Sequence, residues 1–185
     1  QLVPVPRSFS LSQREADIAV IVGRPEQGRL VGRKLTDYSL SLYASADYLL
    51  RHGQPRSAAA LTDHRLVGYV EDLIYSPSLN YTAEFSQGWR SGLEIASAAG
   101  QLEAAKAGAG IAILHDYLAA QHPELKLILP ELRAERAYWT VFHESLRDNA
   151  RVRAVADFLA DCVKAVPVPF MRAPGRQGRR RRSRS

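Results

Sequence analysis

The chain has 185 residues, 46% apolar and 24% charged, with 25 Lys and Arg against 19 Asp and Glu, a formal net charge of +6. Seven of those arginines (Arg172, Arg176, Arg179, Arg180, Arg181, Arg182 and Arg184) stand in an acid-free stretch at the end, which leaves 18 basic and 19 acidic residues elsewhere. The near-neutral body excludes a basic nucleic-acid surface spread over the folded part, the single Cys162 excludes an internal disulfide or a cysteine zinc cage, and no apolar run approaches the roughly 18 residues of a membrane span.

In chain order, Gln1-Leu2-Val3-Pro4 is neither a signal peptide nor an initiator methionine, so the chain reads as the middle of a longer protein. Residues 1–6 are expected as a Pro-flanked strand, and Ser12-Gln13-Arg14-Glu15 has the spacing of a capping box. Residues 17–23, a continuous apolar run closed by Gly23, predict a strand buried on both faces, as in a parallel sheet. Strands are predicted over 30–35 and, from period-two alternation, over 39–44. Ala46 to Arg51 reads as a short helix stopped by Gly53 and Pro55. Leu66 to Val70 is a strand; residues 71–90 give no clear order. A helix over 101–107 ends at Gly108 and precedes a strand over 111–114. A short helix (116–121), strands over 125–129 and 138–142, and a last helix follow. In that helix Val152, Val155, Phe158, Leu159, Cys162 and Val163 recur at helical spacing. Strands alternating with short helices predict an α/β protein with mostly parallel pairing. Residues 167–185, rich in Pro, Gly, Ser and Arg, read as a disordered tail.

Catalytic signatures are missing. None of His52, His64, His115, His122 and His143 has the spacing of a zinc helix, and there is no G-x-S-x-G elbow. Cys162, placed by periodicity on the buried face of the last helix, reads as a small apolar filler. Ala107-Gly108-Ala109-Gly110 follows a helix and precedes a strand, the reverse of a phosphate cradle, so it reads as a helix cap. Glu71 and Asp72, adjacent on an extended segment, point to opposite faces and cannot jointly flank a substrate. No catalytic residue, metal ligand or cofactor is assigned, and an enzyme is the weaker class.

Several segments resemble the effector-binding domain of LysR-type transcriptional regulators. They are the strand Glu15–Pro25, the helix Ser45–Gly53, the helix–turn–strand Ala107–Leu118, and Tyr138–His143 with Arg151–Leu159. More specific is His64-Arg65-Leu66-Val67-Gly68-Tyr69-Val70-Glu71-Asp72-Leu73-Ile74-Tyr75-Ser76-Pro77, which resembles one branch of that family, often H-R-L-I-G-Y-V-D-D-L there. The five pieces, in the right order, cover roughly residues 1–165. The resemblance implies an α/β, two-lobed fold like the type 2 periplasmic binding proteins, with a ligand cleft between lobes. On that map residues 1–166 are the effector-binding domain, with lobe I at 1–39 and 122–166, lobe II at 40–121, and 167–185 the tail. The family's winged helix-turn-helix and its linker helix would precede Gln1. Many relatives carry an arginine in the D-x-A-I-R-x-G strand where this chain has Ile21, which argues against an effector held that way.

A cleft of this kind holds a small molecule by a few convergent polar groups on mostly apolar walls. The candidates are Ser8 and Phe9 after the opening strand, Ser45 before the helix 46–51, Tyr69 and Asp72 at a strand end, and Ser97 and Gln101 at the start of the helix ending at Gly108. For each, a plain structural role such as a helix cap competes with ligand contact. The resulting expectation is a cytoplasmic, non-catalytic sensing module. Its partners would be an unknown small-molecule effector, further copies of itself in a homodimer or tetramer, and DNA through the preceding domain, with no membrane. The alternative is a free-standing solute-binding protein or small α/β enzyme using the same cleft. The arginine-rich tail could add nonspecific DNA affinity or simply be solvated.

Overall fold

The computed structural model describes residues 1–4, 16–25, 28–74, 79–166 and 169–172. Among them seven strands form one sheet: β1 (Ala19–Val22), β2 (Leu30–Ser45), β3 (Leu66–Gly68), β4 (Ser91–Glu94), β5 (Ile111–His115), β6 (Leu125–Ile128) and β7 (Ala134–His143). The order is β1-β7-β2-β5-β3-β4, and β6 also pairs with β2. Five helices are interspersed: α1 (Ala46–His52), α2 (Thr82–Phe85), α3 (Ala98–Lys106), α4 (Asp116–Ala119) and α5 (Ala150–Ala165).

The expectation of mostly parallel pairing is overturned. β2 runs antiparallel to β5, β6 and β7, and β1 antiparallel to β7; only β3 is parallel to its neighbours β4 and β5. The cause is β2 itself. The two strands expected at 30–35 and 39–44 are one sixteen-residue strand, with its irregularity between Lys34 and Thr36. β7 pairs with its first part as far as Leu40, β6 takes over the same edge from Leu42, and β5 covers the opposite edge from Leu40 to Tyr43.

From Tyr38 to Ser45 every β2 residue is buried. Tyr38, Leu40 and Leu42 join the larger core cluster with Leu66, Phe85, Trp89, Ile111, Ile113 and Ile128. Tyr43 joins a second cluster with Val67, Leu102, Ala105 and Leu114. β1 is not buried on both faces as expected. Val20 is 47% exposed while Ala19 on the other face is buried, and among the described residues β1 pairs with β7 alone. Residues 1–4 are exposed and form no strand, and the capping-box residues 12–15 lie outside the described part.

The helix boundaries follow local chemistry. Ser45 Oγ accepts the Tyr48 N–H at 3.1 Å, and α1 ends at Gly53 with φ 81°. α3 begins three residues earlier than expected because Ser97 caps it, its Oγ accepting the Gly100 N–H at 3.1 Å. Gly108, with φ 77°, closes α3, and Gly110 lets β5 press against β3, since a Cβ there would lie 2.4 Å from the Arg65 carbonyl oxygen. In α5 the inward face is Val152, Ala156 and Ala160; Val155, Phe158 and Cys162 are exposed. The apolar-filler reading of Cys162 is therefore wrong: of the expected stripe Val152 is buried, and two alanines complete the inward face. Of the segment expected as tail, Pro169–Arg172 lies within the described residues, and 167–168 and 173–185 lie outside them.

Candidate functional site

The predicted site residues do not converge on one cavity. Ser8 and Phe9 lie outside the described residues. Ser45 is spent as the α1 cap and Ser97 as the α3 cap. Gln101 is buried with its amide donating to the Ile95 carbonyl at 3.0 Å, which holds the loop before α3.

Tyr69 does line a cavity, of about 420 Å³, with Glu71, Trp89, Arg90, Ser91 and Glu94 among its walls. It lies beyond the end of β3 and against the start of β4. Gly68, just before Tyr69, lets β3 lie close to Ser91, since a Cβ there would meet Ser91 Oγ at 2.0 Å. Trp89 is fixed by its Nε1–H, which donates to the His64 carbonyl at 2.8 Å. Glu71 and Asp72 sit on a 3-10 turn (71–73) rather than an extended segment, and Glu71 lines the cavity while Asp72 does not. A polar cavity with one aromatic wall can hold a small molecule bearing both hydrogen-bonding and planar apolar parts.

A second cluster, which sequence reasoning missed, lies where β2 crosses from β7 to β5 and β6. Tyr38 stacks on Tyr138 (centroids 4.2 Å apart) and on His115 (5.1 Å), and Tyr117 stands edge-on to His115 at 5.4 Å. Burial pushes the Tyr38, Tyr117 and Tyr138 phenols up from their ordinary range, so all three stay neutral. Burial lowers the His115 imidazole to about 4 despite the neighbouring Asp116 carboxylate, which favours its charge. The ring is neutral at neutral pH.

On the opposite face of β2 the carboxylate of Asp116, only 3% exposed, accepts from Ser39 Oγ, from Ser41 Oγ at 3.2 Å and from Tyr43 OH at 2.6 Å. Burial, followed by the bond to Asp116, raises the Tyr43 phenol. The available signal was the S-x-S-x-Y spacing of β2. Two serines and a tyrosine on one buried face of a strand require an acceptor between them. Nothing local identified that acceptor as Asp116, 73 residues beyond Tyr43. Among the described residues no group of three or more His, Cys, Asp and Glu could hold a metal ion, and no helix is long and apolar enough to cross a membrane.

The LysR substrate binding domain model matches residues 7–163. The HTH-type transcriptional regulator CrgA of Neisseria meningitidis serogroup C is 29% identical over 163 residues, covering 83% of this chain and 53% of that protein. The chain thus spans about half the length of the curated relatives it matches. The solved regulatory domain of CrgA superimposes with a TM-score of 0.70 at 27% identity, over 82% of this chain and 77% of that one. The regulatory domain of CcmR from Synechocystis, solved in complex with 2-PG, has a TM-score of 0.64 at 18% identity, over 84% and 77% of the two chains. That likeness concerns the fold alone.

Proposed function

Given that this chain belongs to the LysR substrate binding domain family, we propose that it is the small-molecule-sensing part of a LysR-type transcription regulator. Its fold is the two-lobed, periplasmic-binding-protein-like one, and lobe I is assigned to residues 1–39 and 122–166, lobe II to 40–121. The observation that carries the reading is the cavity beside Tyr69, which adjoins the strand ends of lobe II, where α/β sheets place their ligands. The effector contacts Tyr69, Trp89 and Ser91, and it acts by binding one lobe arrangement more tightly than the other. No catalysis is involved, and the whole protein works in the cytoplasm.

The partners are a second copy of the chain and, through another part of the whole protein, DNA. Val155, 43% exposed, and Phe158, 66% exposed, give α5 an apolar outer face suited to packing against a second copy. The experiment is a thermal-shift screen of small metabolites on the chain and on Tyr69→Ala, with the mass in solution measured in parallel. At least one compound stabilises the chain and loses its effect in Tyr69→Ala, and the chain runs as a dimer or larger. A strict monomer that no compound stabilises overturns the proposal in favour of some other use of the fold.

A further inference from the structure

We propose that Pro169–Arg172 is a latch laid across the lobe crossing, holding one lobe arrangement by seating Arg172 beside the buried carboxylate of Asp116. The proposal rests on the lobe division given above. The backbone contacts come first. β7 holds one edge of β2 at Ser39, and on the other edge β5 ends opposite Leu40. The Ser39 N–H left beyond that end donates to the Phe170 carbonyl at 3.2 Å. Ser39 Oγ, itself donating to Asp116, accepts the Arg172 N–H at 2.9 Å. A buried strand edge is completed by a segment from the far end of the chain.

The side chains then reach both ways. Towards lobe II, the Phe170 ring lies 4.7 Å from that of Tyr117, and Arg172 Nε lies 3.7 Å from Asp116 Oδ2. Towards lobe I, Arg172 Nη2 donates to the Pro130 carbonyl at 2.7 Å, and Arg133 Nη1 to the Arg172 carbonyl at 3.4 Å. Pro130 follows Leu129, whose φ of 45° bends the chain sharply there. Asp116 receives three hydroxyl donors, and Arg172 is the cation paired with it among the described residues. A carboxylate this buried is stabilised by a paired charge and destabilised when the charge leaves. Arg172 Nε has no hydrogen-bond partner of its own, so the pair is held by position, through the Nη2 bond to Pro130, rather than by a direct bond between the two charges.

The test uses the full chain without ligand. Hydrogen exchange at the Ser39 amide is measured in the wild type, Arg172→Ala, Phe170→Ala, Asp116→Asn and the double variant Arg172→Ala with Asp116→Asn. Spin labels on the native, exposed Cys162 of α5 and on Leu50→Cys of α1, 86% exposed, report the distance between lobes. Arg172→Ala is expected to speed Ser39 exchange at least about tenfold, broaden the interlobe distances and lower the melting temperature. Asp116→Asn in that background restores much of the melting temperature while exchange stays fast. Unchanged Ser39 exchange in both Arg172→Ala and Phe170→Ala overturns the latch and leaves the sensing proposal untouched. Faster exchange with an unchanged distance distribution overturns the latch as a tie between lobes and removes the lobe division with it.

Discussion

The neutral imidazole of His115 makes stability depend on acid in a way that one substitution isolates. Burial lowers its pKa to about 4, whereas the unfolded chain offers an exposed histidine near pH 6.5. Between those values the unfolded state binds a proton that the folded state refuses. His115 therefore contributes fully above about pH 6.5, and its contribution is lost as pH falls towards about 4. A difference of roughly 2.5 units corresponds to about 3 kcal/mol in total, of which about 2 kcal/mol is lost between pH 7 and pH 4.5. His115→Phe keeps a planar ring against Tyr38 and removes the titration. Urea unfolding of both proteins at the two pH values gives the answer as a double difference. That form cancels the carboxylates and also His64, whose pKa is lowered by burial and by nearby His52. The wild type should lose about 2 kcal/mol more than His115→Phe on acidification. Equal losses would show that the folded protein protonates His115 freely, and the account of a dry, neutral crossing would be wrong.

Substitutions at four other positions have expected outcomes of their own. Asp116→Ala removes the acceptor of Ser39, Ser41 and Tyr43 and should cost about 3–5 kcal/mol in urea, with Asp116→Asn costing less. Gly110→Ala drives a Cβ against the Arg65 carbonyl and should cost about 1–3 kcal/mol; no loss would mean that β5 and β3 are less tightly apposed. Ser45→Ala removes the α1 cap for about 1 kcal/mol, and Ser45→Asp recovers part of it. Phe158→Asp, on the exposed face of α5, should leave the urea midpoint nearly unchanged but halve the mass seen by sedimentation; an unchanged dimer would place the interface elsewhere.

What could be read in the sequence was local or familial. The cap at Ser45, the stop at Gly53 and the close of α3 at Gly108 depend on a residue and its immediate neighbours, and all three appear where expected. Strand direction did not, because the period-two run from Ser39 to Ala44 describes an extended chain and is silent about its partners. Helical spacing likewise gave α5 a broad apolar stripe without choosing its inward half. The buried half is Val152, Ala156 and Ala160, with Val155, Phe158 and Cys162 left outside. The site was the least legible. Asp116 meets Ser39, Ser41 and Tyr43 of one strand and Arg172 near the other end of the chain; the strand shows its own S-x-S-x-Y spacing, but nothing local links it to Asp116 or to Arg172.

The position of that carboxylate bears on how a ligand could be sensed at all. A small molecule shifts a two-state equilibrium only by its difference in affinity for the two states. Cores as densely packed as the β2 crossing resist gradual deformation, so movement there favours two discrete arrangements over a continuum. Ser39 joins the elements involved. Its backbone N–H meets the Phe170 carbonyl, its hydroxyl meets Asp116 and the Arg172 N–H, and its neighbours Tyr38 and Leu40 enter the main core. A rotation about this residue would alter the aromatic stack on one face of β2 and the hydroxyl–carboxylate set on the other. The charge then acquires a second meaning. Arg172, only 18% exposed, is the first arginine of the basic run and sits beside a buried acid, so that run begins as part of the folded body. Displacing Arg172 would leave the Asp116 carboxylate without the cation paired with it among the described residues and would release the Ser39 hydroxyl from the Arg172 N–H.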